Sequence, residues 1–339
     1  MKKVTLNDVA KKAGVSPKTA SRVINREPSV SQSKRDAVNR VVELLGYRPN
    51  TSARSLRSQR AYVVALLYDN LSPAYVLDLQ VGVMSACKER GYNLLVQPCD
   101  YESNSLVDMA RELLDNQRVD GFILSPPICD HKPLIEMLIE QKSEFVRIAP
   151  VDNTFISPYV SADDKKSSEQ MTDYLLSLGH RRIGFISGDV RHQSAKERLL
   201  GYQQALRAAG IALEDELVVY GDFSFESGER WSRKLLQLKN PPSAIFASND
   251  YMAAGVLKTA QKMGLSVPDQ LSITGFDNAP VSKQLWPTLT TIKQPVMEIA
   301  AVSAELLLNC IHDDKFDPIH VRKSCKMVLR ESTSEHKIR

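Results

Sequence analysis

Apolar positions recur in two different rhythms along the chain, and the change comes near residue 60. In the first stretch Leu6, Val9, Ala10 and Ala13 stand at i, i+3, i+4 and i+7, the spacing of one apolar helix face. Thr5 can cap this helix, and Asp8 completes a capping box with Asp in place of Glu. Gly14 allows a sharp reversal, because glycine reaches left-handed backbone angles without strain. Ser16-Pro17 restarts a helix with a hydroxyl cap and a proline whose missing N–H costs nothing at the first position. Ala20, Val23 and Ile24 of this second helix face the first and leave Lys18, Thr19, Ser21 and Arg22 outside. Ser31 or Ser33 opens a third helix, where Ala37, Val41, Leu44 and Leu45 supply the apolar stripe and Gly46 the stop. Two short helices joined by a tight turn, with a polar and basic outer face on the second, predict a DNA-reading helix-turn-helix. An ordinary helical hairpin is the plain alternative.

After Pro49, residues 50–58 keep a helical pattern with Asn50 as cap but hold one large apolar residue, Leu56. Isolated helices shorter than roughly 12–15 residues are marginal in water, so this segment reads as a linker when it has no partner. From Tyr62 the rhythm changes. Short apolar runs (Val63–Tyr68, Tyr92–Val96, Gly121–Leu124, Phe145–Ile148, Ile183–Ile186, Ala244–Ala247, Leu271–Thr274) alternate with helical patterns such as Asp78–Glu89, Leu106–Asn116, Ser168–Leu178, Ala195–Ala209 and Tyr251–Met263. Such alternation predicts parallel sheets built by right-handed crossovers. About 270 residues is long for one such sheet, so two lobes are expected. Ligands of open α/β sheets sit at the carboxyl ends of strands, here the cleft between lobes.

Charge sharpens this division. Residues 1–60 hold 14 Lys/Arg against 4 Asp/Glu, which leaves 30 against 36 in the remainder of the 339-residue chain. A basic end on an acidic body points to nucleic acid. Five cysteines without CxxC spacing fit a reduced compartment better than a disulfide framework or a zinc site. No export signal and no 18-residue apolar span stands in the sequence, so a cytoplasmic protein without membrane insertion is expected.

The strand ends carry the candidate chemistry. Val160-Ser161-Ala162-Asp163-Asp164, Ser248-Asn249-Asp250 and Phe276-Asp277-Asn278 put carboxylates and amides after apolar runs, while Asp222-Phe223 and Arg198 open helices. Carboxylates accept paired hydroxyls, Arg and Asn donate, and an aromatic face covers ring C–H groups. That mixture suits a polyhydroxylated ring. Each carboxylate has a helix N-cap as its plain alternative. The run Tyr68–Pro73 can also reach the cleft. Arg147 reads equally as a specificity residue or an interlobe ion pair, and His180 as structural. No Ser/His/Asp set, nucleophile elbow or metal spacing appears, so neither an enzyme nor a cofactor or metal site is expected.

The pattern T-L-x-D-V-A-x-x-A-G-V-S-x-x-T-x-S-R-V-x-N over Thr5–Asn25, with Leu329-Arg330-Glu331-Ser332 near the end, resembles the lactose-repressor (LacI) family of bacterial regulators. The resemblance implies an all-α helix-turn-helix headpiece plus an α/β two-lobed, periplasmic-binding-protein-like body. Expected divisions are a headpiece at 1–48, a hinge helix and linker at 49–61, an effector-binding and dimerisation body at 62–333, and a polar tail at 334–339. The lobes should comprise 62–161 with 292–321, and 162–291 with 322–333, crossing near Ser161, Thr291 and Val321. The resemblance implies DNA contacts from Thr5, Ser16, Pro17, Lys18, Thr19, Ser21, Arg22 and Asn25, and from Asn50, Ala53 and Leu56 of the hinge. Leu56 matches the leucine that wedges into the minor groove. Asp163, Arg198, Phe223, Asn249 and Asp277 match positions lining the family's effector pocket, which makes Arg198→Ala a variant expected to fold normally but to lose its effector response. Asp164 stands where many relatives have asparagine, and Ser167 where they often have glycine. The leucine heptad segment of tetrameric relatives is missing, so a homodimer on double-stranded operator DNA is implied. The expected function is repression of carbohydrate-use genes under control of a sugar. A purine- or nucleoside-responsive regulator, or a sugar-binding protein without DNA function, are the alternatives.

Overall fold

A computed structural model describes residues 4–24, 29–47, 60–69, 72–116, 119–151, 156–313 and 319–336. The chain forms two compact units, Met1–Ala61 and Tyr62–Arg339.

In the first unit, α1 (Leu6–Lys12), α2 (Pro17–Ile24) and α3 (Gln32–Leu45) surround a core of Val9, Ala10, Ala20, Val23, Val38 and Val41. The capping box at Thr5 is formed: Asp8 N donates to Thr5 Oγ1 (3.3 Å) and Thr5 N to Asp8 Oδ2 (2.8 Å). Gly14 turns the chain at φ +65°, and Ser16 Oγ caps α2 by accepting from Thr19 N at 3.1 Å. The stripe of α3 differs from expectation. It runs through Val38, Val41, Val42 and Leu45, whereas Leu44 is 67% exposed. Adjacent apolar pairs at 41–42 and 44–45 allow two registers of a 3.6-residue period, and Val38, uncounted in the sequence reading, selects between them.

The second unit holds two parallel sheets. The first has the order β11-β5-β4-β3-β1-β2, built from β1 (Val63–Tyr68), β2 (Asn93–Pro98), β3 (Gly121–Leu124), β4 (Glu144–Ile148), β5 (Tyr159–Ala162) and β11 (His320–Lys323). Val64 and Leu66 of β1 enter one core with α4 (Pro73–Arg90) and α12 (Val296–His312). Their neighbours Ala65 and Leu67 enter the other core, with α5 (Leu106–Asp115) and α6 (Lys132–Glu140). A strand buried on both faces is continuously apolar, which explains the runs. The second sheet has the order β7-β6-β8-β9, from β6 (Ile183–Ser187), β7 (Val218–Tyr220), β8 (Ala244–Ala247) and β9 (Ser272–Thr274). α7 (Asp164–Ser177) and α8 (Gln193–Ala208) cover one face; α9 (Phe225–Leu236) and α10 (Asp250–Lys262) cover the other, and the short α11 (Val281–Gln284) follows β9.

Three segments join the lobes. The chain leaves the first sheet after β5, returns through β10 (Thr291–Lys293) to α12, and passes back between β11 and β12 (Lys326–Val328). β10 and β12 pair antiparallel, and β10 continues the second sheet through bridges Thr274–Thr290 and Asp277–Lys293. The final residues strap the second lobe: Ile273 N donates to Ser332 O (2.8 Å), Ser332 Oγ to Ile273 O (2.6 Å), and Arg330 Nη1 to Leu289 O (2.6 Å). Among the described residues, no helix is long and apolar enough to cross a membrane.

Candidate ligand cleft and nucleic-acid interface

The carboxyl ends of both sheets converge on one cleft of about 880 Å3, its open mouth included. The first lobe contributes Asp69, Ser72 and Tyr75 beyond β1 and Ile148 and Ala149 at the end of β4. The second contributes Asp189, Arg191 and His192 after β6, Asp222 and Phe223 after β7, Asn249 after β8 and Asp277 after β9. Asp164 and Gln294, at two of the connecting segments, complete it.

Arg198 sits at the base, 3% exposed. Its Nε donates to Asp164 Oδ1 at 2.8 Å, its Nη1 to Ser248 O, and its Nη2 lies 3.5 Å from Asp277 Oδ1. The guanidinium carbon stands 3.5 Å above the Phe276 ring centroid. Close helix packing makes this possible: a Cβ at Gly201 of α8 would fall 2.1 Å from Lys165 O of α7. One turn before that glycine, Arg198 therefore reaches the first residue of α7, and Ser168 Oγ donates to Arg198 O at 2.5 Å. Burial pushes the Asp277 carboxyl up, Arg198 pulls it back and Asp164 adds to the rise. Asp250 lies deeper, fully buried. It accepts from Thr291 Oγ1 (2.5 Å) and Ala279 N (2.7 Å), and burial reinforced by Asp277 holds its carboxyl well above the usual range.

Phe223 has φ +67°, and its ring lies where a Gly188 side chain would be, 2.0 Å from a Cβ built there. His192 meets that ring edge-on at 5.3 Å. Burial lowers the His192 imidazole to about 4. Asn249 caps α10 by accepting from Met252 N (2.8 Å) and ties down the Phe223 loop by donating to its carbonyl (2.9 Å). At the mouth, Arg191 pairs with Asp189 and crosses to the first lobe, with Nη1 3.0 Å from Glu102 Oε1 and its carbon 5.7 Å from the Tyr101 ring centroid.

On the headpiece, Thr5, Ser16, Pro17 and Lys18 are exposed at the start of the two helices. Thr19, Ser21 and Arg22 are half-buried rather than fully outside, and Thr19 Oγ1 is 2.9 Å from Ser16 Oγ. Lys11, Lys12, Lys34 and Arg40 add exposed positive charge. The expected DNA contacts Asn25, Asn50, Ala53 and Leu56 lie outside the described residues.

Comparison with known proteins matches residues 5–50 to the bacterial regulatory proteins of the lacI family and residues 172–333 to a periplasmic binding protein-like domain. Catabolite control protein A of Priestia megaterium is 33% identical over 332 residues, spanning 97% of this chain and 99% of that protein. The chain belongs to the LacI family. Among solved structures, the chain is similar to a transcriptional regulator CelR–cellobiose complex at a TM-score of 0.76 and 31% identity, over 97% of this chain and 100% of that one. The lac repressor dimer bound to operator and the anti-inducer ONPF has a TM-score of 0.77 and 26% identity, over 98% of this chain and 100% of that one.

Of the five cleft residues expected from the LacI-family resemblance, Arg198, Phe223, Asn249 and Asp277 come together; Asp163 does not. β5 ends at Ala162 and α7 starts at Asp164, so the first helical residue supplies the carboxylate and Asp163 occupies the junction. Arg147 does not line the cleft. It is fully buried within the first lobe, donating from Nε to Ser157 Oγ at 3.1 Å beside Tyr159. His180 is structural, between Ser243 Oγ (2.8 Å) and Ser272 Oγ (3.0 Å). Asp189, Arg191 and His192 were missed, although Gly188–His192 follows β6 and the strand-end rule applies to it equally.

Proposed function

We propose that this chain represses transcription by binding operator DNA as a homodimer, and that a sugar or sugar derivative in the cleft sets its operator affinity. The observation that carries this reading is that one chain holds both a capped helix-turn-helix and a two-lobed cleft lined by carboxylates, a guanidinium pair and an aromatic ring. The cellobiose complex and the operator-bound dimer of its relatives support the same assignment. Pro17, Lys18, Thr19 and Arg22 read bases, Thr5, Ser16 and Ser21 flank them, and Asn25, Asn50, Ala53 and Leu56 complete the contact, with Leu56 as minor-groove wedge. In the cleft, Asp277, Asn249 and Phe223 meet the ligand, with Asp164 in the place expected for Asp163. Residues 49–61 act as the hinge, and 62–333 bind effector and dimerise. Leu77, Val81 and Met84, exposed at i, i+4 and i+7 on α4, offer an apolar stripe for the partner subunit. The protein acts in the cytoplasm, needs no cofactor and catalyses no reaction.

The test is selection of bound duplexes from a randomised pool, followed by titration of sugars against the selected complex. Sequence-selective binding that a sugar alters supports the proposal. Sugar binding without duplex retention identifies a binding protein without DNA function instead. Leu56→Ala should keep sugar binding and weaken the selected duplex by about tenfold or more, since the wedge offsets unstacking of a few kcal/mol.

A further inference from the structure

The charges lining the cleft do not balance. Asp69, Asp164, Asp189, Asp222 and Asp277 are five carboxylates against two guanidiniums, Arg191 and Arg198, a formal net of −3. His192 adds nothing at neutral pH, because burial holds it to about 4. Both guanidiniums are engaged, Arg198 with Asp164 and Asp277, Arg191 with Asp189 and Glu102.

Helix ends offer an anion little more. α4, α9 and α10 begin at the cleft, but the side chains of Ser72, Ser224 and Asn249 already accept from their first-turn amides. α7 and α8 lack such a cap, yet Asp164 stands in the first turn of one and Asp189 just ahead of the other. The positive end of a helix attracts anions only where a carboxylate does not already occupy it.

We propose that the effector is a polyol with no phosphate, carboxylate or other anionic group, neutral or bearing an amine, and that the excess carboxylates reject its acidic and phosphorylated counterparts. This rests on the reading that the cleft takes a polyhydroxylated ligand. Carboxylates accept charge-assisted hydrogen bonds from hydroxyls and ammonium groups, whereas an anion entering the closing cleft sheds water and meets like charge. One uncompensated carboxylate about 8 Å away, at an effective dielectric near 20, weakens binding of a monoanion about thirtyfold. Salt screening at the open mouth brings this towards about tenfold.

The experiment uses the full chain and calorimetric titration with matched sets of hexoses, pentoses and disaccharides, each as the neutral sugar, amino sugar, uronic acid and phosphate. Within any set that binds, the neutral or amino member should bind at least about tenfold more tightly than the acid or phosphate. The double variant Asp69→Asn/Asp222→Asn keeps an acceptor oxygen for Tyr101 N and Ser224 N. In it the gap should narrow roughly tenfold while the neutral member shifts less. An acid or phosphate that binds as tightly as its neutral counterpart, or a gap unchanged in the variant, overturns the charge assignment and leaves the polyol reading standing. Binding of purines alone, or of no polyol, overturns both.

Discussion

Arg198→Ala tests the cleft base most directly, and the structure changes what it should do. A free ligand donor could be removed without loss of fold, as the family resemblance alone implies. Here Arg198 is 3% exposed, and it is the cation between Asp164, itself 4% exposed, and Asp277. Its removal leaves two carboxylates facing each other, with the Gln294 amide 3.4 Å from Asp164 as the nearest described donor besides Arg198. Breaking a buried ion pair from one side costs about 3–5 kcal/mol, against a total stability of about 5–15 kcal/mol. Urea unfolding of the purified body, followed by far-ultraviolet circular dichroism, should show that loss at pH 7. The pH dependence has a definite sign. Asp277 already has its folded pKa raised by burial, with Arg198 opposing and Asp164 adding to the rise. Without Arg198 it rises further, so the native state holds a proton that the unfolded state releases near pH 4. The deficit relative to wild type should therefore grow as pH rises from about 4 towards 7, and Asp164→Asn in the Arg198→Ala background should recover more than about 1 kcal/mol. A variant within about 1 kcal/mol of wild type at pH 7, or a deficit that ignores pH, would refute the view that Arg198 holds these carboxylates together.

Lys18→Ala should relax preference at one operator position per half-site by roughly 1–3 kcal/mol; a uniform loss with a shallower salt slope would make Lys18 a phosphate contact instead. His180, buried and lowered to about 4 chiefly by desolvation, should make stability fall by up to about 3 kcal/mol as pH drops from about 6.5 to about 4. His180→Gln should flatten that part of the stability–pH curve, and an unchanged slope counts against the assignment. Glu102→Gln removes the exposed interlobe pair with Arg191, so unfolding should move by less than about 1 kcal/mol. The affinity of a sugar that binds the cleft should fall and lose part of its salt dependence; no change in either shows that the pair does not help to hold the lobes closed.

Much of this fold was legible because its strands are buried on both faces, and continuous apolar runs such as Val63–Tyr68 and Ala244–Ala247 declare themselves. β10, β11 and β12 were not, since Thr291–Lys293, His320–Lys323 and Lys326–Val328 alternate with charges and pair at lobe edges or crossings. Part of the cleft was legible to within a residue, while Asp189, Arg191 and His192 were passed over. Strand ends predict where polar side chains gather, but whether Asp163 or Asp164 points inward depends on where the helix begins, which propensity places only to within a residue or two. Arg198 was found, yet its pairing with residues 164, 248 and 277 was invisible, because these meet only when α7 and α8 pack together over the ends of β8 and β9.

The strap at the end of the chain also sets an order of events during synthesis. Headpiece residues 4–47 contain their whole core and leave the ribosome first. The first sheet waits for β11 at 320–323, and the second for Ser332, whose backbone and hydroxyl both bond Ile273. At roughly 5–20 residues per second the body remains unfinished for tens of seconds after its first strand emerges. A message cut short just before residue 330 therefore yields the DNA-reading end on a body whose second sheet lacks the strap along β9. The missing bonds are those that hold Ile273 and Asn278 on either side of the cleft residue Asp277.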